Sequence, residues 1–354
     1  MFRIAKRGET NNRQALMFRL LGIFGALLVT SVIVMFMDHN PFDVLFSMVK
    51  GAFASKIRIE NTIVKAVPLA ITAIGISIAF RMKFWNIGGE GQIMMGAAAA
   101  TYVALNYSSL PRIILLPLMF VTAFIFGGIW AVVPALFKVR FGTNETLFTL
   151  MMNYIALKLV GYFQYTAWKD PNGMGFPVIA KFEQSGYLPE VFGIHIGWII
   201  AILIAVFIYL LVHHTKRGYE INVVGGSENT ARYAGMKVGK IVVLSMLLSG
   251  GICGIAGFVQ VSGVSHTLNV NTSGGVGFTA IIIAWLSKLN EGTIILVSIL
   301  FAGMVQGGNY IQTAFQIPAS VAQILQGIIL LFVLGSEFFV QYKVFYNKKE
   351  VKKA

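Results

Sequence analysis

Charged residues are scarce in this chain. Asp, Glu, Lys and Arg make up 12% of its 354 residues, whereas 56% are hydrophobic. Soluble domains carry about 25% charged residues, because charge keeps their surfaces hydrated. Apolar runs of membrane-spanning length recur along the whole chain and leave no polar stretch long enough for a separate folded domain. The composition therefore predicts a single membrane domain, residues 1–354, surrounded by lipids.

Cysteine is almost absent, and so are the usual marks of an enzyme. Cys253 is the single cysteine, so no intrachain disulfide can form and no zinc or iron–sulfur spacing exists. The adjacent His213 and His214 lack the further ligands that zinc requires. GxSxG, HExxH and Walker A sequences are missing. We therefore expect no catalytic residue, no metal and no cofactor bound by this chain itself.

Acidic residues are half as numerous as basic ones, 14 against 28. The basic residues lie mainly at the two ends and between apolar runs, whereas a nucleic-acid binder places them along one solvated face; nucleic acid is therefore not an expected partner. Lys and Arg that flank membrane spans are retained in the cytoplasm. We predict that both termini are cytoplasmic, with tails at 1–16 and 343–354. The outer segment 38–61 is also basic, which suits a short helix on the membrane surface.

The apolar runs predict an all-α membrane bundle of about ten spans, with broken helices near its centre. The predicted spans are 17–37, 62–80, 87–107, 113–137, 145–166, 197–212, 241–261, 278–289, 293–310 and 321–339. Two connections are long. The outer one, 167–196, is rich in proline and glycine, which favours an irregular cap. The inner one, 213–240, mixes acidic and basic residues with good helix formers and predicts one or two short cytoplasmic helices.

The segment WNIGGEGQ interrupts the third apolar run and places Asn86, Glu90 and Gln92 close to or inside the hydrocarbon. An acid at that depth is costly and by default faces a cavity or a partner, and the adjacent glycines allow the helix to break. A broken helix exposes backbone groups that can bind a polar substrate. The alternative is a cytoplasmic turn beside Arg81 and Lys83, with Glu90 solvated or ion-paired.

A second polar stretch, GTNETLFTLMMNY, spaces four polar residues along one helix face. Such a stripe could line a translocation path, or it could supply hydrogen bonds between helices. Trp85 could stack on a planar ligand, although Trp in a membrane is more often an interfacial anchor. The glycines of SGGICGIAG and FAGMVQGG are expected at packing seams, with a flexible gate as the alternative.

Four blocks, in this order, resemble the permease subunits of ABC importers for nucleosides and simple sugars: FRMKFWNIGGEGQIMMGA, NETLFTLMMNYIA, GYEINVVGGSENTARYAGMK and LSGGICGIAG. The resemblance covers nearly the whole chain. It implies a multi-pass permease of the bacterial cytoplasmic membrane that translocates nucleosides, with ATP bound and hydrolysed by a partner ATPase subunit. It also implies a second permease chain in a heterodimer and an extracytoplasmic substrate-binding lipoprotein.

The resemblance also assigns roles to residues. The segment 213–240 resembles the coupling segment that docks into a groove of the ATPase, and the residues that match its pattern are Gly218, Glu220, Asn229, Ala231, Tyr233 and Gly235. The residues expected along the substrate pathway are Trp85, Asn86, Glu90, Gln92, Asn144, Glu145, Thr149 and Asn153.

One segment departs from the family's pattern. Where the family usually has a stretch containing glycine and proline, this chain reads IIIAWLSKLNEG, with Lys288 and Glu291. The substrate is therefore open between a nucleoside and a simple sugar such as ribose. An ion-coupled secondary transporter with Glu90 as its coupling residue is the alternative from another class, although no inverted repeat is visible.

Overall fold

The computed structural model describes residues 2–6, 12–171, 173, 175 and 177–346, and this part of the chain is mostly helical. Its thirteen α-helices are α1 (Asn12–Met35), α2 (Pro41–Phe53), α3 (Lys56–Arg81), α4 (Gly89–Asn106), α5 (Arg112–Phe141), α6 (Glu145–Tyr162), α7 (Gly197–His214), α8 (Lys216–Gly226), α9 (Glu228–Tyr233), α10 (Val238–Gln260), α11 (Val276–Leu286), α12 (Glu291–Ala314) and α13 (Ala319–Gln341). The strands are β1 (Phe2–Lys6), β2 (Glu190–Val191), β3 (Ile194–His195) and β4 (Tyr342–Tyr346), and they pair antiparallel as β1 with β4 and β2 with β3.

Each predicted span coincides with a helix, and eight of these helices are long and apolar enough to cross a membrane. The chain is therefore a multi-pass helical membrane protein, as predicted. The count of ten is not confirmed, because α4 and α11 fall outside the eight. The α11 helix has only eleven residues: its backbone turns at Lys288 and Leu289, whose φ angles are 50° and 59°, while the apolar run continues to Leu289. This left-handed region is unfavourable inside a helix.

The described part of the chain forms two compact units, and the first comprises the described residues within 1–59 and 303–354. Within it α1 packs against α13, and Arg19 forms an ion pair with Glu337 at 3.0 Å. The helix α2 lies inside the basic segment 38–61, and the Asn40 side chain caps it by accepting a hydrogen bond from the backbone N–H of Phe42. The predicted tails are described only in part, since residues 1, 7–11 and 347–354 lie outside the described residues; the described parts include β1 and most of β4. The side of the membrane on which the tails lie stays a prediction, as does the single domain.

The second unit, residues 60–302, is built around α4, α5 and α10. Glycine allows these helices to touch through their backbones. A Cβ atom at Gly96 would overlap the backbone of Gly254, and one at Gly257 would overlap the carbonyl group of Ile93. The predicted packing seam in SGGICGIAG is thus confirmed, because small residues permit such close approach in membrane bundles.

The two long connections of the second unit differ in character. The connection 167–196 is mostly irregular where it is described, and it is attached to the segment that follows α10. The backbone N–H of Phe182 donates to the His266 carbonyl and that of Leu188 to the Ser262 carbonyl, both at 2.9 Å. The connection 213–240 contains α8 and α9, so the predicted short helices are confirmed. Their position on the cytoplasmic side stays a prediction.

Candidate substrate pathway and coupling helices

The turn between α3 and α4, residues 82–88, is closed by a pair of amide side chains. Asn86 and Gln92 are buried and exchange two hydrogen bonds, from Asn86 Nδ2 to Gln92 Oε1 at 3.2 Å and from Gln92 Nε2 to Asn86 Oδ1 at 3.0 Å. Asn86 Oδ1 also accepts from the backbone N–H of Gly88 at 3.0 Å, and Asn86 Nδ2 donates to Ser249 Oγ at 3.4 Å. The two amides therefore satisfy each other and fix the start of α4.

The helix α6 holds the same turn from its buried face. Thr149 Oγ1 accepts from the backbone N–H of Ile87 at 3.2 Å. Asn153, one helical turn later, donates to the Ile87 carbonyl and accepts from the N–H of Gly91, both at 2.8 Å. These two members of the predicted polar stripe supply hydrogen bonds between elements. This was one of the two functions that the sequence left open for them.

The carboxylate of Glu90 lies at the N-terminus of α11. Its Oε1 accepts from the backbone N–H of Gly275 at 2.8 Å and its Oε2 from that of Gly277 at 2.6 Å. The first N–H groups of a helix have no partner inside the helix and carry partial positive charge, so a carboxylate is favoured there. Glu90 is only 4% exposed. The alternative of a solvated Glu90 is wrong, and within the described residues its partner is a helix end.

We call Asn86, Glu90, Gln92, Thr149 and Asn153 the α4-start cluster. The side chains of the remaining predicted pathway residues have partners outside this cluster. Asn144 is exposed and caps α6, accepting from the N–H of Leu147 at 3.1 Å. Glu145 pairs with Lys138 at 2.8 Å. Trp85 is 46% exposed and stacks on Trp285, with 5.4 Å between ring centroids and 24° between planes.

The sequence did not identify an ion pair near this cluster. Arg81 Nη2 donates to Glu291 Oε1 at 2.8 Å and also to the Leu289 carbonyl, and the Glu291 side chain is 2% exposed. This pair connects the end of α3 with the start of α12, across the segment that departs from the family's pattern. Opposite charges at the ends of two apolar runs were the available signal, but their pairing depends on tertiary contact.

The predicted coupling residues divide into supporting and projecting ones. A Cβ at Gly218 would overlap the Leu211 and Val212 carbonyls, so this glycine lets α8 pack on α7. Ala231 is fully buried, and Gly235 ends the α9 region with a φ of 74°. Close packing at Gly218 and Ala231 and the positive φ at Gly235 thus explain why these three positions carry small residues.

The projecting coupling residues lie on and beside α9. Tyr233 is 93% exposed and Asn229 is exposed as well. Glu220 pairs with Arg217 at 3.0 Å on α8. Caps hold both helices: the Thr215 hydroxyl accepts from the N–H of Gly218, and the Ser227 hydroxyl from that of Thr230, each at 3.2 Å. The segment therefore presents a well-defined surface with an exposed aromatic ring.

Comparison with known proteins places this architecture in a family. The family described as "Branched-chain amino acid transport system / permease component" matches residues 58–334. The glucose ABC transporter permease protein TsgB13 of Haloferax volcanii is 31% identical, over 92% of this chain and 88% of its own. The guanosine ABC transporter permease protein NupP of Bacillus subtilis is 30% identical over 91% and 93%, and the nucleoside ABC transporter permease protein NupB of Lactococcus lactis is 26% identical over 91% and 92%.

The matched region runs from α3 into α13 and includes the α4-start cluster, the Arg81–Glu291 pair and both short helices. The relatives are permease subunits of ABC transporters, which are not themselves enzymes. Since the family covers most of the sequence, the chain belongs to the branched-chain amino acid transport system permease family.

Proposed function

We propose that this chain is the translocating subunit of an ABC importer for nucleosides. The observation that carries the substrate class is the exposed pair Trp85–Trp285, whose stacked rings adjoin the α4-start cluster in sequence and offer a flat surface to a planar base. The similarity to the guanosine and nucleoside permeases supports the same reading. A simple sugar is the second candidate, supported by the similarity to the glucose permease.

The α4-start cluster positions the pathway in this proposal. Each of its side chains already has a hydrogen-bond partner within the chain, so binding a solute there would first require an internal bond to break. Its five residues instead fix the turn that carries Trp85 and the start of α11. The pathway residues expected from the sequence thus act by holding aromatic and backbone groups in place.

Membership of an ABC permease family implies an ATPase partner and other ABC components. In our proposal the ATPase receives α8 and α9 in a groove on the cytoplasmic side, with Tyr233 inserted as an aromatic contact. Closure of the ATPase would move α7 and α10, which flank the two helices, as rigid bodies. A second permease chain completes a heterodimer, a substrate-binding lipoprotein delivers the nucleoside from outside, and both termini lie in the cytoplasm.

Reconstitution in liposomes tests this function. The chain is incorporated with its ATPase, second permease and binding lipoprotein, and uptake of labelled guanosine is measured with and without ATP. We expect uptake to depend on ATP. Unlabelled nucleosides should inhibit the uptake by competition, and glucose and ribose should not. Uptake driven by an ion gradient through this chain alone would contradict the ABC mechanism, and competition by sugar alone would transfer the proposal to the sugar candidate.

A further inference from the structure

The helix α6 has a second polar face that the α4-start cluster does not use. Lys158 lies nine residues after Thr149, about two and a half turns, and therefore on the opposite side of the helix. It is exposed, and so are the tyrosines one turn before and one turn after it, Tyr154 and Tyr162. We call Tyr154, Lys158 and Tyr162 the α6 stripe.

The depth of Lys158 makes this exposure informative. The membrane-spanning helix runs from Glu145 to Ala167, so Lys158 lies about 20 Å from its start and about 13 Å from its end at 1.5 Å per residue. A lysine near a helix end can extend to the membrane surface, but two and a half turns exceed the reach of its side chain. A charged group inside a span is costly in lipid and normally faces a partner or a water-filled cavity.

Lys158 has no such partner within the part of the chain that the structure describes. No hydrogen bond or ion pair involves its Nζ there, whereas Glu145 on the same helix is paired with Lys138. The exposed face of α7 provides the contrast, since residues 197–212 contain no charged side chain and expose residues such as Leu203 and Phe207. The exposed face of α6 also carries Met151 and Ile155, so the charge of Lys158 is what distinguishes it from the exposed face of α7.

The chemistry of the stripe indicates what it binds. An ammonium group donates three hydrogen bonds and accepts none, and tyrosine combines a flat ring with a hydroxyl group that both donates and accepts. Three such side chains at intervals of one turn match a neutral solute that has a ring and several oxygen or nitrogen acceptors. A nucleoside fits this description, because its base carries acceptors and its ribose carries hydroxyls.

We infer that the α6 stripe lines an aqueous route through the membrane and that Lys158 binds the transported solute there by donating hydrogen bonds to its acceptor atoms. The identity of the solute rests on the proposed function. The route does not, because it is argued from an exposed charge inside the span that has no partner among the described residues.

Cysteine accessibility tests the route. Cys253 is fully buried, so the wild-type chain supplies an almost unreactive background. Lys158→Cys is compared with Leu203→Cys on α7. Leu203 is a suitable control because it is 62% exposed and also lies inside a membrane-spanning helix. Both variants are assembled in the full transporter in membranes and treated with a charged, membrane-impermeant methanethiosulfonate. Such reagents require an ionised thiol in water, so we expect Lys158→Cys to react at least about tenfold faster. Equal, slow reaction of the two variants would overturn the inference, since the stripe would then face lipid or a dry protein interface.

Transport kinetics test the binding role separately. In the reconstituted transporter, Lys158→Met should raise the KM for guanosine about tenfold with a smaller change in kcat, because it removes binding donors and leaves the motor intact. Lys158→Arg keeps hydrogen-bond donors, so its KM for guanosine should stay close to that of the wild type. Guanosine should also slow the modification of the Lys158→Cys variant. An unchanged KM in Lys158→Met, with active wild type, would refute the binding role. If the wild type takes up no guanosine, the proposed function fails, and the accessibility result still decides whether the route exists.

Discussion

The two faces of α6 carry polar side chains in opposite situations. On one face Thr149 and Asn153 are buried, and both side chains form hydrogen bonds with the turn that leads into α4. On the other face Tyr154 and Lys158 are exposed, and Lys158 has no partner among the described residues. Polar residues within a membrane span thus fall into two kinds. Those with partners hold the helices together, and those without a partner among the described residues are the ones that we infer to bind a solute.

The strongest test of this comparison removes one charge from each kind of environment. Glu291→Ala leaves the guanidinium of Arg81, whose side chain is only 14% exposed, without its carboxylate partner, which costs about 3 kcal/mol of stability. Lys158→Ala removes a charge that has no internal partner among the described residues, so the same measurement should show little loss. The readout is the apparent melting temperature of each purified variant in detergent.

One outcome would contradict the comparison of Glu291→Ala with Lys158→Ala. A larger fall in melting temperature for Lys158→Ala than for Glu291→Ala would show that Lys158 is a structural residue. Glu291→Gln is the intermediate control, because it removes the charge and retains an acceptor for Arg81, and its melting temperature should lie between those of Glu291→Ala and the wild type.

Adjacent residues on the two faces of α6 sharpen the comparison. Asn153→Leu leaves the Ile87 carbonyl and the Gly91 N–H buried without partners, at about 1–3 kcal/mol for each group. Tyr154→Leu alters the exposed face and should change stability by less than about 0.5 kcal/mol, as expected for an exposed position. Melting temperatures of the two variants, measured side by side, check this. Equal losses would mean that the exposed face is packed against another element.

The positions of these helices could be predicted from the sequence, because hydropathy is a local property of the chain. Each predicted span overlaps a helix, and WNIGGEGQ lies partly in the α3–α4 turn and partly in the first turn of α4. The partners of the polar residues could not be predicted in the same way. Glu90 reaches the N–H of Gly277, 187 residues away, and no local pattern connects the two. The predicted span 87–107 begins two residues before α4, since the Asn86 side chain accepts a hydrogen bond from the N–H of Gly88 and the helix starts at Gly89.

Because tertiary contacts cannot be read from local patterns, the sequence alone does not single out Lys158. Polar spacing in GTNETLFTLMMNY identifies a stripe, but it does not show which members are buried. Only the packing of α4 against α6 shows that Thr149 and Asn153 are paired and that the face bearing Lys158 is the exposed one. A charge inside an apolar run was the signal available, and its meaning depended on knowing which side of the helix it occupies.

A milder substitution at Glu90 tests a polar residue whose side chain already has hydrogen-bond partners. Glu90→Gln keeps one acceptor oxygen but replaces the other with an amide nitrogen that faces a backbone N–H at the start of α11. A hydrogen bond to a charged group contributes about 1.5–3 kcal/mol, and the substitution loses part of this stabilisation. We expect reduced guanosine uptake with normal assembly of the transporter, because the start of α11 shifts while the bundle persists. Uptake assays combined with co-purification check this, and unchanged uptake would remove Glu90 from the residues that shape the pathway.

The smallest effect on stability is expected at the coupling helices, where an exposed side chain can matter for function and contribute nothing to the fold. Tyr233→Ala removes a ring that is 93% exposed, so the melting temperature of the isolated chain should not change. Co-purification of the ATPase should nevertheless fall, since exposed aromatic rings are common anchors of protein interfaces. Ala231→Trp is the matched variant from the buried side of α9, and it should lower both stability and ATPase retention because a fully buried alanine leaves no room for an indole. Normal ATPase retention by Tyr233→Ala would mean that another part of the inner surface carries the docking contact.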